Sequence, residues 1–187
     1  MAEDPGPKQI TTSDGKSIKA IANFIYKKPF ELLKIPFIII DGGKIKERKL
    51  AAFAIMFRLI TCDRFAKFYD CRVIAHKLNT FDARDVTAGD RRTDFAATLK
   101  GHNILCISEF NPNSFKEKLE GGDFMDEILD TRFNNLNQTI VTFQNPLNKT
   151  NALKDEVCGK YLNEMSHQEK LDKNPSEDYL RIRVRSS

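Results

Sequence analysis

The sequence predicts a single α/β domain whose mostly parallel sheet is covered by helices on both faces. Short apolar runs rich in β-branched residues recur along the chain, as in IPFIIID at 35–41 and NILCISEF at 103–110, and such runs are typical of strands buried on both faces. Stretches with helical spacing separate these runs, and this alternation favours a parallel sheet. With 187 residues, 41% hydrophobic and 30% charged, the chain is long enough for one well-buried domain, and its length alone gives no reason to expect two.

The N-terminal half begins with a polar stretch. Residues 1–16, rich in Pro, Gly, Asp and Ser, predict a flexible tail, and we expect the folded domain to span residues 17–187. Apolar spacing in 17–34 predicts one or two short helices broken near Pro29. The strand at 35–41 then leads through a Gly-Gly turn to a helix from about Glu47 to Phe68, which is apolar over most of its circumference and should be well covered.

The alternation continues to the C-terminus. CRVIAHKL at 71–78 is interpreted as a strand, and RTDFAATLKG at 92–101 as a helix that stops at Gly101. After the strand at 103–110, the pattern predicts a helix at 124–134, a strand in QTIVTFQN at 138–145 and a helix at 151–165. The final DYLRIRVRS alternates apolar and basic residues, so we expect a strand with one charged face at an edge of the sheet.

Charge, cysteines and hydropathy narrow the class of protein. The net charge of +4 permits nucleic-acid or acidic-protein partners without requiring them. The four cysteines form no C-x-x-C pair and the three histidines have no metal spacing, which favours reduced structural thiols and no metal site. No run of about 18 apolar residues and no leader-like N-terminus occurs, so we expect a cytoplasmic protein that neither is secreted nor spans a membrane.

The loops that follow the strands are the expected place for a ligand site. In parallel sheets, ligands bind at the carboxyl ends of the strands, which here are the loops at 41–47, 108–113 and 143–146. No strand is followed by G-x-G-x-x-G, so a dinucleotide site is a poor fit. Phe143 is a candidate stacking platform for a base.

The order of these features resembles a known family. IPFIIIDGGKIKERKLAAFAIMF is similar to an apolar strand, a phosphate loop and a helix that begins with a run of the "LAAA" kind. NILCISEF occupies the place of a strand ending in Asp-Glu, and ILDTRFNNLNQTIVTFQN resembles a helix ending in Arg-Tyr followed by a strand. In these respects the chain, from about Ile18 to its end, resembles the AAA+ ATPases of the DnaC, DnaI and IstB type, which are helicase loaders and their transposition relatives. The resemblance implies a three-layer P-loop NTPase-type fold, here without a C-terminal lid domain, and a phage or mobile-element origin.

The phosphate loop departs from the pattern G-x-x-x-x-G-K-[ST]. The glycines stop at Gly43, after Gly42. Aligning the alanine run with the family puts Glu47 and Arg48 where the phosphate-binding Lys and the Mg²⁺-binding hydroxyl belong. A shift of two residues makes Lys49 the phosphate ligand but puts Leu in the hydroxyl position. A Glu would repel a triphosphate and a Leu cannot hold Mg²⁺, so neither register restores the chemistry.

The other landmarks of the family are altered as well. Ser108 replaces the Asp that holds Mg²⁺, while Glu109 keeps the position that polarises the attacking water. Asn145 is one of three residues available for the polar position after TIVT, and Lys160 stands where the resemblance places an inter-subunit arginine. Lys offers a point charge in place of a planar fork. We therefore expect a degenerate nucleotide site without catalytic residues and without a cofactor.

A set of basic residues is the candidate contact for single-stranded DNA, because cations can track a phosphate backbone. A solvated charged face is an equally good interpretation. The set is Arg84, Arg91, Arg92, Lys100, Arg181, Arg183 and Arg185.

The functional hypothesis is a helicase-loader-like replication protein that does not hydrolyse ATP. It would bind a replicative helicase or its loader, either to deliver it or to inhibit it. Two alternatives remain open. One is a small active P-loop ATPase that uses Lys44, Lys46 or Lys49 as its phosphate ligand, and the other is an inactive structural subunit of a clamp-loader-like assembly.

Overall fold

The structure is a computed structural model that describes residues 10–11, 35–61, 65–79, 86–115, 119–143 and 179–184. It contains six strands, four α-helices and a short 3₁₀ helix within these ranges. The strands are β1 (Ile10–Thr11), β2 (Phe37–Gly42), β3 (Ala66–Asp70), β4 (Ile104–Ser108), β5 (Gln138–Phe143) and β6 (Tyr179–Val184). The helices are α1 (Ile45–Ile60), α2 (Cys71–Asn79), α3 (Val86–Gly101) and α4 (Leu119–Asn134), with the 3₁₀ helix at Pro112–Phe115.

All six strands run parallel in one sheet of order β1-β6-β2-β5-β4-β3. The register aligns Ile38 of β2 with Ile140 of β5, Ile140 with Cys106 of β4, and Cys106 with Phe68 of β3. This row lies beneath α1. The predicted α/β architecture with a parallel sheet is confirmed.

Helices cover both faces of the sheet, so the domain has three layers. The face that carries Ile38 and Ile40 packs on the inner side of α1, including Ala52 and Ile55. The opposite face, with Ile39 and neighbours, packs on α2, α3 and α4. Because side chains alternate along a strand, the continuous apolar runs of β2, β4 and β5 supply both layers of core.

Several predicted elements agree with the structure. The strands expected near 35–41, 103–110 and 138–145 are β2, β4 and β5, and α3 ends at Gly101 as predicted. Two predictions were wrong. The segment at 71–78 is the helix α2 and not a strand, while the strand before it, β3, lies in what was expected to be the end of a longer helix.

The error has an identifiable cause. No Gly or Pro occurs from residue 44 to residue 88, so nothing in the composition marks where α1 ends or where β3 begins. The buried residues of α2 are Cys71, Ile74, Ala75 and Leu78. Their spacing of i, i+3, i+4 and i+7 is helical, and this was the signal for α2.

Three further expectations need correction. β6 is not an edge strand, because β1 pairs with it through Ile10↔Ile182 and Thr11↔Arg183. Phe143 is no exposed platform: it is buried at the end of β5, with its ring 5.6 Å from that of Phe110. The described residues do not cover α1 all round, because they leave its outer apolar side chains exposed. The predicted helices at 17–34 and 151–165 lie outside the described residues.

Arg132 ties together the end of the sheet opposite the strand carboxyl ends. Its guanidinium is fully buried and donates to the carbonyls of Leu99, His102 and Gln138 at 2.7, 2.7 and 2.6 Å, and to the Thr139 hydroxyl at 2.9 Å. Burial lowers the pKa of Arg132 to about 10. The side chain fixes the exit of α3 against the start of β5.

Two features are absent from the described ranges: a helix that could cross a membrane and a cluster of side chains that could hold a metal ion. None of their helices is both long and apolar enough to cross a membrane. They also contain no group of three His, Cys, Asp or Glu side chains placed to hold a metal ion.

Candidate functional site

The connection between β2 and α1 is a tight glycine turn. β2 ends at Gly42 and α1 begins at Ile45, so two residues, Gly43 and Lys44, join them. Gly42 and Gly43 have φ of 76° and 58°, values that L-residues with a side chain rarely adopt. A Cβ on Gly43 would lie 2.8 Å from Val184 Cβ and 2.9 Å from Glu47 Oε2. The glycines therefore serve a sharp turn, whereas a phosphate loop places the whole G-x-x-x-x-G run between strand and helix.

Arg48 fills the space inside this turn. It lies in the first turn of α1, where side chains point back toward the helix N-terminus. Its Nη1 donates to the carbonyls of Gly42 and Gly43 at 2.8 and 2.6 Å, and the residue is 1% exposed. A phosphate loop turns backbone N–H groups toward its ligand. Here the turn presents carbonyl oxygens instead, and they hold a cation of the same chain.

Glu109 completes the charge balance of Arg48. The Nε and Nη2 of Arg48 donate to Glu109 Oε1 and Oε2 at 2.9 and 2.6 Å, a bidentate pair with Glu109 17% exposed. Such fork-to-carboxylate pairs are among the stronger hydrogen-bonded contacts in proteins. Both oxygens of Glu109, the residue that the resemblance assigns to polarising a water, thus accept hydrogen bonds from Arg48.

Thr142 of β5 holds Glu109 in place. The Thr142 hydroxyl donates to Glu109 Oε1 at 3.1 Å and accepts the Glu109 backbone N–H at 2.8 Å. The Phe110 N–H donates to the Thr142 carbonyl at 2.7 Å. These bonds fix Glu109 at φ 56°, an uncommon value for a residue with a side chain. The sequence analysis did not select Thr142 and chose the residues after it as candidates. The signal that could have identified Thr142 is its position near the end of β5, beside the loop that carries Glu109.

Glu47 caps the N-terminus of α1. Its Oε2 accepts the Lys44 backbone N–H at 2.8 Å, and the Lys44 carbonyl accepts from the N–H groups of Glu47 and Arg48. A carboxylate in the first turn also complements the positive end of the helix dipole. The position where a helix N-terminus would bind an external anion therefore already holds a carboxylate of the chain.

Ser108 and Lys49 lie next to this cluster without joining it. Ser108 ends β4 opposite Asp70, and its buried hydroxyl makes no hydrogen bond within the described part of the chain. Lys49 is half-buried, and its charge contributes to lowering the pKa of Asp70, although hydrogen bonds from Arg72 contribute more. Asn145 and Lys160 lie outside the described residues.

The structure describes the side chains of only three of the seven predicted DNA-contacting residues, and all three lie on α3. Arg91 and Arg92 lie on α3 about two turns before Lys100, roughly 12 Å away along the axis. Lys100 donates to Glu127 at 2.7 Å, so its charge is partly balanced. Arg181 and Arg183 lie on β6, where the structure describes their backbone but not their side chains, and Arg84 and Arg185 fall outside the described ranges.

The chain matches no protein-family model and no curated protein. Its fold does resemble solved structures, among them one titled "Crystal structure of the DnaC helicase loader". That likeness has a TM-score of 0.54 at 14% sequence identity, and it covers 90% of this chain and 91% of the other. At such identity it shows the fold, which is a P-loop NTPase-type α/β domain.

Proposed function

We propose that this chain is a helicase-loader-like scaffold that does not hydrolyse ATP and acts by protein contact. Its partner would be a replicative helicase or a helicase loader, which it delivers or inhibits in the cytoplasm. The observation that carries the proposal is the guanidinium of Arg48 inside the β2–α1 turn, bonded to Gly42, Gly43 and Glu109. The likeness to a helicase loader supplies the class of partner.

The filled turn argues against the ATPase alternative on three grounds. A two-residue connection is too short to wrap a triphosphate. The Arg48 cation is neutralised by Glu109, so phosphate would have to displace a bidentate pair. The inside of the turn is filled by Arg48 and not by the lysines offered as phosphate ligands: Lys44 and Lys46 are exposed, and Lys49 is half-buried with its charge acting on Asp70.

Calorimetry with ATP and Mg²⁺ tests the first half of the proposal. We expect no binding heat from the wild-type protein, with an intact P-loop ATPase as the positive control. Dissociation constants in the micromolar range would overturn the proposal and favour the small-ATPase alternative. The variant Arg48→Ala should remain without hydrolysis, because removing the guanidinium restores neither a phosphate-binding Lys nor a Mg²⁺ ligand.

Size-exclusion chromatography with light scattering tests the second half. The protein is run alone, with the purified replicative helicase of its source, and with the corresponding loader. We expect a stable complex with one of them whose amount is the same with ATP, with ADP and without nucleotide. Assembly of the chain alone into a ring would favour the clamp-loader-like alternative, and no complex with either protein would contradict the proposal.

A further inference from the structure

The outer face of α1 carries a row of large apolar side chains that the described residues leave uncovered. Leu50, Phe53, Phe57 and Ile60 are 52%, 47%, 71% and 46% exposed. We call these four residues the α1 stripe. Exposed apolar residues are ordinary when scattered, but a continuous row on one helix face marks a contact surface.

The spacing of the α1 stripe is that of a helix-pairing seam. Its members follow one another at i, i+3, i+7 and i+10, the positions a and d of a seven-residue repeat. Ala54, exposed on the same face, is small enough to let another backbone approach. The opposite side of α1 is already buried on the sheet through Ala52 and Ile55, so the stripe is a surface separate from the core contact.

One member of the α1 stripe, Phe53, is held in place before any partner arrives. The ring of Phe53 stacks on that of Phe68 in β3, with centroids 4.7 Å apart and planes 24° from parallel. Phe68 is itself packed on the core beneath α1. A side chain fixed in this way loses little freedom on binding, which favours association.

The charges beside the stripe select the partner. Lys46 and Lys49 are basic, and the single acid of α1, Glu47, is bonded to the helix N-terminus. A second copy packed parallel would bring the basic first turns of the two helices together, and like charges across a helix pair are unfavourable. A membrane surface fits less well, because a helix that lies in a membrane presents a wide apolar face, whereas α1 has buried one side in the core.

We propose that the α1 stripe docks an amphipathic helix of a partner protein, with apolar residues at its a and d positions and acidic residues beside them. The inference rests on the proposed function in one respect, namely that the chain acts by protein contact. It adds a surface distinct from the Arg48 turn and gives the chemistry of the element that binds there. This is the helix-in-groove class of recognition, in which spacing gives affinity and flanking charge gives specificity.

The test uses the full chain and two synthetic helical peptides of about three heptads. Both carry Leu at a and d; one carries Glu at e and g and the other Lys, so that like charges keep each peptide monomeric. Binding is followed by fluorescence anisotropy. We expect the Glu peptide to bind at least about tenfold more tightly than the Lys peptide, and the double variant Lys46→Glu/Lys49→Gln to remove that preference.

The matched variants separate the stripe from general stickiness. Leu50→Gln/Phe57→Ser should weaken binding of the Glu peptide at least about tenfold, because each removes apolar area from the contact. Leu136→Ser removes another exposed apolar side chain, 73% exposed and in the connection between α4 and β5, and should leave binding unchanged. Since all of these positions are exposed, unchanged thermal melting checks that the fold is kept.

Four results would overturn the inference. In the peptide assay, these are no binding of the Glu peptide and equal binding of both peptides. In sedimentation, it is a wild-type dimer that the variant Leu50→Gln/Phe57→Ser dissociates. In flotation, it is binding to anionic vesicles that the same variant abolishes. The peptide assay contains neither helicase nor nucleotide, so it can succeed where the proposed function fails. Conversely, a helicase complex that forms equally well with the variant Leu50→Gln/Phe57→Ser would support the proposed function. The inference about the α1 stripe is decided by peptide binding alone.

Discussion

At the scale of single residues, Arg48 matters because it places a full charge almost out of reach of water. The buried guanidinium is stabilised by Glu109 and by the carbonyls of Gly42 and Gly43, which accept its hydrogen bonds. Removing one partner of a buried pair leaves the other charge unpaired, which is far more costly than losing both. The losses of stability in the two single variants should therefore not add up to the loss in the double variant.

Arg48→Met should lower the free energy of unfolding by about 3 kcal/mol, the lower end of the range for breaking a buried pair, because Glu109 keeps some contact with water. The double variant Arg48→Met/Glu109→Gln should be less destabilised than the sum of the two single variants, since no unpaired charge remains. Urea denaturation followed by circular dichroism measures all three. Strict additivity, or a loss below about 1 kcal/mol for Arg48→Met, would contradict the importance of the pair.

The cysteines that the structure describes should be slow to react. Burial raises the pKa of Cys71 to about 11 and that of Cys106 to about 12, and only the thiolate is nucleophilic. At about pH 8, iodoacetamide should label both positions slowly in the native protein and quickly once denaturant is added. Peptide mass spectrometry reads each site separately, and fast native labelling of Cys106 would show that β4 opens readily.

The sequence singles out Arg48 but does not predict its contacts. Aligning the alanine run with the family places Arg48 in the position of the hydroxyl, which is one of the two registers considered. Its pairing with Glu109 spans 61 positions, and no local pattern links residues so far apart. The pairing depends on β5 lying between β2 and β4, which is a property of the assembled sheet.

At the scale of elements, the β2–α1 turn should depend on glycine at position 43. Gly43→Ala would put a side chain at φ 58° and against Val184, so we expect a loss of about 3 kcal/mol from backbone strain and overpacking together. Gly101→Ala is the matched control, because nothing lies within 4 Å of a Cβ there, and it should change stability by less than about 1 kcal/mol. Chemical denaturation compares them; similar losses at both sites would mean that the turn is not tightly packed.

The strands that were predicted correctly from the sequence include those that are buried on both faces of the sheet. β2, β4 and β5 were found because strands buried on both faces have apolar, β-branched runs with clear limits. β3 failed because it lies at the side of the sheet with Lys67 exposed and the rest of its side chains half-buried. Such a strand carries too weak an apolar signal to stand out between two helices that no Gly or Pro separates.

At the scale of the whole molecule, the order of the sheet predicts where the fold is most resistant to opening. β2 lies between β6 and β5, whereas β3 and β1 form the two sides of the sheet in the described chain. Hydrogen–deuterium exchange should therefore be slowest in Ile38–Ile40 and faster in β1 and β3, because an edge strand can separate without disrupting the core. Exchange in β2 as fast as in β3 would contradict a single cooperative sheet.

The position of Arg48 inside the β2–α1 turn also has a consequence for how long a complex of this protein would last. ATPase switches release their partners when hydrolysis changes the affinity, and a ligand can shift an equilibrium only if it binds one state better than another. Under the proposed function the protein would have no such input, so its complexes would last as long as their contacts dictate. It would act in proportion to its amount in the cell, as a stoichiometric component whose supply is set by synthesis and degradation and not by the energy charge of its surroundings.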